Sequence, residues 1–242
     1  MFRSGEGGRG DRPRRPTSLP ASVVPWPVER RAGGAGTLHS LGVPDASRGR
    51  LVRVLSVDRP ALVLGSTQPS PPALAGVEVK VEVVRRASGG GAVLVEPGRL
   101  VWVDVFVPAG DRLWVADVGR AFWWLGEVWA SALGSLGVDG AVVYRGPLVT
   151  TAWSSFVCFA GLGPGEVTVG GRKAVGMAAR RTRAGALFQC AVPLAWSAAS
   201  IVSLLGLPAV AADELASVVY PVPFSADQVV SAFVNAQAGM SG

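Results

Sequence analysis

Residues 85–93 read Arg85-Arg-Ala-Ser-Gly-Gly-Gly-Ala-Val93, two arginines followed by three glycines between apolar segments. Consecutive glycines cost backbone entropy and leave no side chains to pack, so they indicate a place where the backbone approaches a ligand closely. Free N–H groups in such a turn form a concavity for anions, and Arg85 or Arg86 could clamp a carboxylate or phosphate. The alternative is a flexible hairpin tip with solvated arginines.

A second glycine-flanked segment, Gly170-Gly-Arg-Lys-Ala-Val-Gly176, follows about 80 residues later and contains one of only two lysines, against 21 arginines. An ammonium is a compact point donor, whereas a guanidinium is a planar fork. Lys173 is therefore a candidate catalytic residue. The alternative is a surface lysine in a hairpin turn.

The charge of the chain is uneven. Residues 1–31 hold seven Arg and three acidic residues, a net charge of +4, which leaves +2 of the total of +6 for the rest. We predict a disordered basic arm over residues 1–33 and one catalytic domain over residues 34–242. The arm could also be a polybasic contact or a targeting segment. Since the positive charge is concentrated there, the folded body is not expected to bind nucleic acid.

The sequence also limits the compartment and the metal chemistry. The charge-free stretch from Ala184 to Ala212 contains two prolines and many small residues, so a strand and a buried helix explain it better than a membrane span. No apolar export segment follows the early arginines. Two cysteines, Cys158 and Cys190, and the single His39 provide neither a disulfide framework nor a four-ligand zinc site without carboxylates. We expect a cytoplasmic protein that does not bind a membrane.

Hydrophobic periodicity predicts an α+β fold, a mixed and mostly antiparallel sheet with helices packed mostly on one side. Residues 79–96 are predicted to form a hairpin with the glycines at its tip. A helix is predicted over residues 117–136, with Asp117 as N-cap, Gly137 at the C-terminus and tryptophans in the core. The remaining predicted strands are 51–57, 60–65, 100–107, 141–144, 156–159, 166–169, 173–181 and 186–192, and the remaining predicted helices are 71–78, 196–206, 211–219 and 225–237.

Three segments together resemble the lipoate–protein ligases and the related octanoyltransferases. Residues 85–93 resemble the glycine-loop signature of that family, and residues 171–176 resemble its lysine signature. The segment Val63-Leu-Gly-Ser-Thr-Gln68 resembles its first substrate-pocket motif. The order and approximate spacing are those of the family, over about residues 35–220. The resemblance implies the catalytic fold of biotin and lipoate ligases, and attachment of an octanoyl or lipoyl group to a lysine on a lipoyl domain.

The resemblance also implies roles for individual residues. Lys173 would hydrogen-bond the acyl carbonyl, Arg86 would steady the glycine loop or a phosphate, and Gly176 would let the backbone pass closely. The substrate-binding set carried over by position is Gly65, Gln68, Arg86, Ser88, Gly89, Gly90, Gly91, Ala92, Gly176 and Gln189.

Two departures decide the expected branch of the family. The ligases usually carry an Asn-Asp pair before the lysine, whereas this chain has Cys158-Phe-Ala-Gly-Leu-Gly-Pro-Gly-Glu166 there. Cys158 resembles the nucleophile of the cysteine octanoyltransferases, in which a thiolate forms an acyl-enzyme; the alternative is an inert thiol on an apolar strand. Where the family commonly has His-Gly, this chain has Gln189-Cys190, which makes Cys190 a second candidate thiol.

Three functions remain open at this point. The first is an acyltransferase without a cofactor that takes octanoyl from acyl carrier protein and uses Cys158. The second is an ATP- and Mg-dependent lipoate ligase that forms an acyl-adenylate. The third is a non-catalytic protein that binds acyl groups or lipoyl domains. For all three, the resemblance implies the lipoyl domain of a dehydrogenase complex, or the glycine-cleavage protein, as partner.

Overall fold

A strand with valine at every second position, Leu100–Pro108, lies inside a seven-stranded sheet. The structure is a computed structural model and describes residues 26–71 and 81–239. The strands are β1 Val28–Gly33, β2 Leu51–Val57, β3 Ala61–Leu64, β4 Glu82–Arg85, β5 Val93–Val95, β6 Leu100–Pro108, β7 Ala141–Val143, β8 Val167–Val169, β9 Arg172–Arg181 and β10 Gly185–Pro193. The helices are α1 Ala35–Ser40, α2 Trp123–Ser135, α3 Ala198–Leu205, α4 Val210–Val218 and α5 Ala226–Ala238.

The strands form two sheets. The large sheet has the order β1-β2-β6-β10-β9-β8-β7, in which only β1 and β2 pair in parallel. The small sheet has the order β4-β3-β5. The predicted α+β class and the mostly antiparallel pairing are confirmed. None of the helices in the described ranges has the length and apolar character that a membrane crossing requires.

Side-chain alternation along β6 separates two apolar clusters. Its odd-numbered valines, from Val101 to Val107, face α2 and α5, where Trp129 and Phe233 pack with ring centroids 4.2 Å apart. On the opposite face Trp102 packs with residues of α1 and of the small sheet. A strand buried on both faces is expected at the centre of a sheet that is covered on both sides. The space between the two sheets is where the predicted motifs lie.

Helix α2 begins six residues later than predicted. The Asp117 carboxylate accepts hydrogen bonds from the N–H groups of Gly119 and Arg120, so it closes a turn rather than capping the helix. Gly137 has φ +87° and follows the helix as predicted. Of the three tryptophans placed in the core, Trp129 is fully buried, whereas Trp123 is half-buried beneath the guanidinium groups of two arginines.

Two sequence predictions about strands were wrong, one in each sheet. Residues 82–85 and 93–95 do not form a hairpin, because both strands pair with β3, which lies between them. Residues 28–33, placed in the disordered arm, form β1, which gains a complete parallel ladder with β2 and ion pairs from Glu29 to arginines on neighbouring segments. The rest of the predicted arm, residues 1–25, and nearly all of the predicted helix 71–78 lie outside the described residues.

Candidate active site

The glycine loop, residues 86–91, is in contact with the loop that follows β3. A Cβ atom placed on Gly65 would lie 1.9 Å from the carbonyl oxygen of Gly90. This distance is too short for any side chain to be accommodated. The Ser66 N–H donates to the Ser88 carbonyl at 3.0 Å. Two of the three predicted motifs therefore meet through their backbones, and glycine is required at position 65 for that approach.

The same loop holds the segment that carries Cys158. The Ala92 N–H donates to the Phe156 carbonyl at 2.7 Å, and the Cys158 N–H donates to the Ala92 carbonyl at 2.9 Å. A Cβ atom on Gly91 would lie 2.6 Å from the backbone N and C atoms of Val157. Cys158 begins a short 3₁₀ turn, Cys158–Ala160, rather than lying on the predicted strand. Its position is thus fixed by backbone pairing to the glycine loop.

Arg86 holds the glycine loop from inside. Its guanidinium is 6% exposed and donates to the carbonyls of Gly89 and Gly91 at 2.6 and 2.9 Å, and to the hydroxyl of Ser88 at 3.1 Å. Burial lowers the pKa of Arg86, and an electrostatic interaction with Cys158 opposes that decrease. The guanidinium therefore both orders the loop and places a positive charge near the thiol.

Arg85 turns away to a different set of acceptors. It donates to the carbonyl of Gly65 at 2.8 Å and to that of Gln68. The Gln68 side chain in turn accepts from the Gly65 N–H at 3.2 Å and donates to the Phe156 carbonyl at 3.0 Å. Both side chains fasten loops together, so the structure places Gln68 in a supporting position behind the site.

Two cavities meet at Cys158. A narrow apolar cavity of about 60 Å³ runs between the sheets, where His39, Trp102 and Val95 line it. A wider cavity of about 350 Å³ lies on the other side and is lined by the three glycines of the loop and by Lys173. Cys158, Met177 and Ala178 line both cavities. A group that spans both cavities would pass beside the sulfur atom.

Lys173 is buried, with all three ammonium protons engaged. Its Nζ lies 2.7 Å from the Glu166 carboxylate and donates to the carbonyls of Cys158 and Gly161, each at 3.0 Å. Opposite Lys173, a Cβ on Gly176 would meet the lysine Cε at 3.2 Å and the Phe159 ring at 3.3 Å. The lysine motif thus lies against the Cys158 turn and braces it.

Glu166 is a site residue that sequence reasoning missed. Its carboxylate is 5% exposed, binds Lys173, and accepts from the N–H groups of Met177 and Gly163 at 2.9 and 2.7 Å. The only sequence signal was an acidic residue inside an apolar strand segment near the lysine motif. A buried carboxylate with three partners is a fixed part of the site rather than a surface charge.

The other predicted residues divide between the site and its support. Gly89 and Gly90 line the wide cavity, and Gln189 lines the narrow cavity and accepts from the Ser88 hydroxyl at 3.2 Å. Ala92 is fully buried in an apolar cluster and contributes backbone pairing.

The arrangement of these motifs is accompanied by a match to a known protein family. The family model of the lipoyl protein ligase A/B catalytic domain matches residues 44–236. The chain belongs to this family. Its members carry out protein lipoylation by ligation or transfer. No curated protein matches the chain.

Solved structures share the fold at low identity. A lipoate-protein ligase A bound with ATP is 17% identical, with a TM-score of 0.67, over 89% of this chain and 85% of that one. A bipartite lipoate protein ligase from Thermoplasma acidophilum, solved in a study with its E2 lipoyl domain, is 18% identical, with a TM-score of 0.69, over 89% and 83% of the two chains. A putative lipoate protein ligase from the same organism with bound lipoic acid is 18% identical, with a TM-score of 0.64, over 89% and 86%.

The second thiol of this family member differs from Cys158 in environment. Cys190 is fully buried among the residues that pack on α2, and burial raises its pKa. A thiol that is held protonated is a poor nucleophile. His39 lies in the narrow cavity, 4.5 Å from the Trp102 ring, and burial lowers its pKa to about 4. The imidazole is therefore neutral at physiological pH.

Proposed function

We propose that the protein is a cysteine acyltransferase of protein lipoylation. It transfers an octanoyl or lipoyl group from a thioester donor, such as an acyl carrier protein, to a lysine of a lipoyl domain. The observation that carries the proposal is the location of Cys158, where the narrow apolar cavity meets the wide cavity, close to the Arg86 guanidinium. The acyl chain would occupy the narrow cavity, and the donor and acceptor would approach through the wide one.

The reaction has two balanced steps. The Cys158 thiolate attacks the donor carbonyl, a new carbon–sulfur bond forms, the donor carbon–sulfur bond breaks, and the carrier leaves as a thiolate that takes a proton from solvent. The neutral amine of the acceptor lysine then attacks the acyl-enzyme, loses a proton to solvent, and releases the Cys158 thiolate. Arg86 supports both steps, because a nearby positive charge stabilises a thiolate.

Lys173 is proposed to act on the acyl carbonyl. Since its three ammonium protons are bound to Glu166 and to the carbonyls of Cys158 and Gly161, it must exchange one backbone carbonyl for the substrate oxygen. Glu166 remains bound during that exchange and holds the ammonium in place. This gives Glu166 a positioning role in the proposed reaction.

The ligase is the alternative within the same family. An acyl-adenylate route would need groups that bind the phosphates of ATP. The Arg86 guanidinium is committed to loop carbonyls and to Ser88. These contacts favour a role for Arg86 in ordering the loop over a role in binding a phosphate. The proposed reaction therefore uses no ATP.

The proposed acceptor is the lipoyl domain of a dehydrogenase complex or the glycine-cleavage protein. Support comes from the Thermoplasma ligase, which is described with its E2 lipoyl domain. A cytoplasmic location and a separate catalytic domain after a basic arm remain predictions.

Intact-mass spectrometry tests the proposal directly. The protein is incubated with octanoyl-acyl carrier protein, or with lipoate and ATP-Mg, each with and without a lipoyl domain. Cys158→Ala is compared with Cys190→Ala, which removes the other thiol of the chain. We expect an acyl adduct with the carrier-bound donor that Cys190→Ala retains and Cys158→Ala loses.

The other outcomes contradict the proposal in distinct ways. Modification of the lipoyl domain only with ATP, and without an enzyme adduct, would identify a ligase. Binding of the lipoyl domain without turnover from either donor would favour the non-catalytic reading.

A further inference from the structure

A row of polar side chains crosses the centre of the large sheet. Arg53 on β2, Asp104 on β6 and Gln189 on β10 occupy directly opposed positions of neighbouring strands. Arg53 is 7% exposed and Asp104 is 3% exposed. Their neighbours along β6, Val103 and Val105, face the other way into the apolar core. Burying charged groups here is costly unless each has partners, so the row requires an explanation.

Hydrogen bonds extend this row to the glycine loop. The Trp102 indole N–H donates to the Asp104 carboxylate at 2.8 Å, and Gln189, at the directly opposed position of β10, opposes the rise in the pKa of the same carboxyl that burial causes. The Ser88 hydroxyl donates to Gln189 Oε1 at 3.2 Å, and the Arg86 Nε–H donates to the Ser88 hydroxyl at 3.1 Å. A continuous row of polar side chains therefore joins the middle of the sheet to the guanidinium that orders the loop.

The direction of these bonds follows from donor and acceptor types. Gln189 Oε1 accepts from the Ser88 hydroxyl, so its amide Nε2–H faces Asp104, where a carboxylate oxygen or the carbonyl oxygen of the protonated carboxyl can accept. That leaves Oε1 for the Ser88 hydroxyl, whose own oxygen is then free to accept from Arg86. If the amide were reversed, two acceptors would face each other at Asp104, and Ser88 would lose its acceptor.

We propose that Asp104 and Gln189 form a positioning pair that fixes the glycine loop, with Asp104 setting the orientation of the Gln189 amide. Gln189 stands on β10 at the first position of Gln189-Cys190, where the resemblance implies His-Gly. Neither residue reacts with substrate in this proposal, because both act through Ser88 and Arg86. The catalytic consequence rests on the proposed acyl transfer, whereas the ordering of the loop does not.

A reciprocal pair of substitutions tests the polarity of the bonds. Asp104→Asn places an NH₂ group opposite the Gln189 NH₂, and Gln189→Glu places a carboxylate opposite Asp104. The double variant D104N/Q189E restores a donor opposite an acceptor and leaves an oxygen for Ser88. Asp111→Asn is the matched control, since it removes a carboxylate near the end of β6 that pairs with Arg50 at 2.8 Å, away from the loop.

Two readouts separate positioning from a general loss of stability. The first is steady-state transfer, in which we expect each single variant to lower kcat up to about 100-fold, the effect of roughly 1 Å of misplacement, with little change in KM. The second is hydrogen exchange of the Ser66 and Ala92 amides, which bind the Ser88 and Phe156 carbonyls. Their exchange should accelerate in both single variants and return to the wild-type rate in the double variant.

Defined results would overturn the inference. Single variants with wild-type kcat and wild-type amide exchange would show that the pair does not position the loop. A double variant no better than the worse single variant would show that bond polarity is irrelevant. If the wild-type protein transfers no acyl group from any donor, the proposed function is wrong. The hydrogen exchange of the Ser66 and Ala92 amides in the variants still shows whether Asp104 and Gln189 position the loop.

Discussion

The three consecutive glycines have two possible explanations, close contact with a neighbouring backbone or flexibility of the loop. Replacing Gly91 with alanine should distinguish between them. The new Cβ would lie 2.6 Å from the N and C atoms of Val157 and 2.8 Å from the Cys158 N atom. Nine in ten real Cβ contacts lie at 3.4 Å or more, and reaching that distance requires the backbone to move by roughly 0.8 Å. The Gly89→Ala variant is the matched control, because a Cβ there has no atom within 4 Å.

The expected cost has two parts. Overpacking a tight contact costs about 1–3 kcal/mol. Weakening the two hydrogen bonds between Ala92 and the 156–158 segment costs about 1–3 kcal/mol in total. A loss of about 2–6 kcal/mol corresponds to a decrease in Tm of roughly 4–24 °C for a chain of this size. Displacing Cys158 by roughly 1 Å should also lower kcat about 100-fold.

Thermal unfolding and acyl transfer measure these two effects separately. Gly89→Ala should keep Tm within about 3 °C of the wild-type value, because alanine there meets open space and restricts the unfolded chain slightly. Equal changes in Tm for the two variants, whether both tolerated or both damaged, would refute the argument that contact with the Cys158 segment requires Gly91.

Two further predictions concern buried charges. Lys173→Met should destabilise the protein by about 3–5 kcal/mol because it leaves the Glu166 carboxylate unpaired, and adding Glu166→Gln should recover about 1–3 kcal/mol; additive urea-unfolding energies would contradict a coupled pair. Burial raises the pKa of Asp104 to about 7. Between about pH 4 and 7 the folded protein therefore binds a proton that the unfolded chain releases, so wild-type stability should fall with rising pH relative to Asp104→Asn, by up to about 4 kcal/mol. The lowered pKa of His39 makes stability rise with pH below pH 6.5, but this contribution is the same in the wild type and in Asp104→Asn. A stability difference between these two proteins that does not change with pH would therefore contradict the raised pKa of Asp104.

Local patterns predicted most of the secondary structure, because the information lies within each segment. The alternation in residues 51–57 and 100–107 indicates strands, and the apolar spacing of residues 196–237 indicates the three C-terminal helices. The antiparallel meander from β8 to β10 also follows from short glycine-containing turns. The 71–78 helix lies outside the described residues.

Long-range pairing could not be read in the same way. The periodicity of residues 82–85 and 93–95 identifies strands but not partners, and β3 occupies the position between them. The Arg-rich composition of residues 28–33 favoured disorder, whereas in the fold Glu29 binds Arg48 and Arg53, which are distant in sequence. Composition does not record such pairing.

The motif residues of the candidate site were predictable, but their support was not. Glu166 and Asp104 belong to no motif, and each becomes significant only through contacts that the fold creates. Glu166 meets Lys173 across adjacent strands, and Asp104 meets Gln189, 85 residues later in the chain. Cys158 was predicted on a strand, and its 3₁₀ turn depends on pairing with Ala92.

The most direct test of the central claim is a single-turnover experiment with octanoyl-acyl carrier protein and a lipoyl domain, quenched at successive times and mapped by peptide mass spectrometry. The account predicts that the octanoyl group appears first on Cys158 and disappears from it at the rate at which the lipoyl domain is modified. Modification of the lipoyl domain without a Cys158 adduct, or at an unchanged rate in Cys158→Ala, would contradict it.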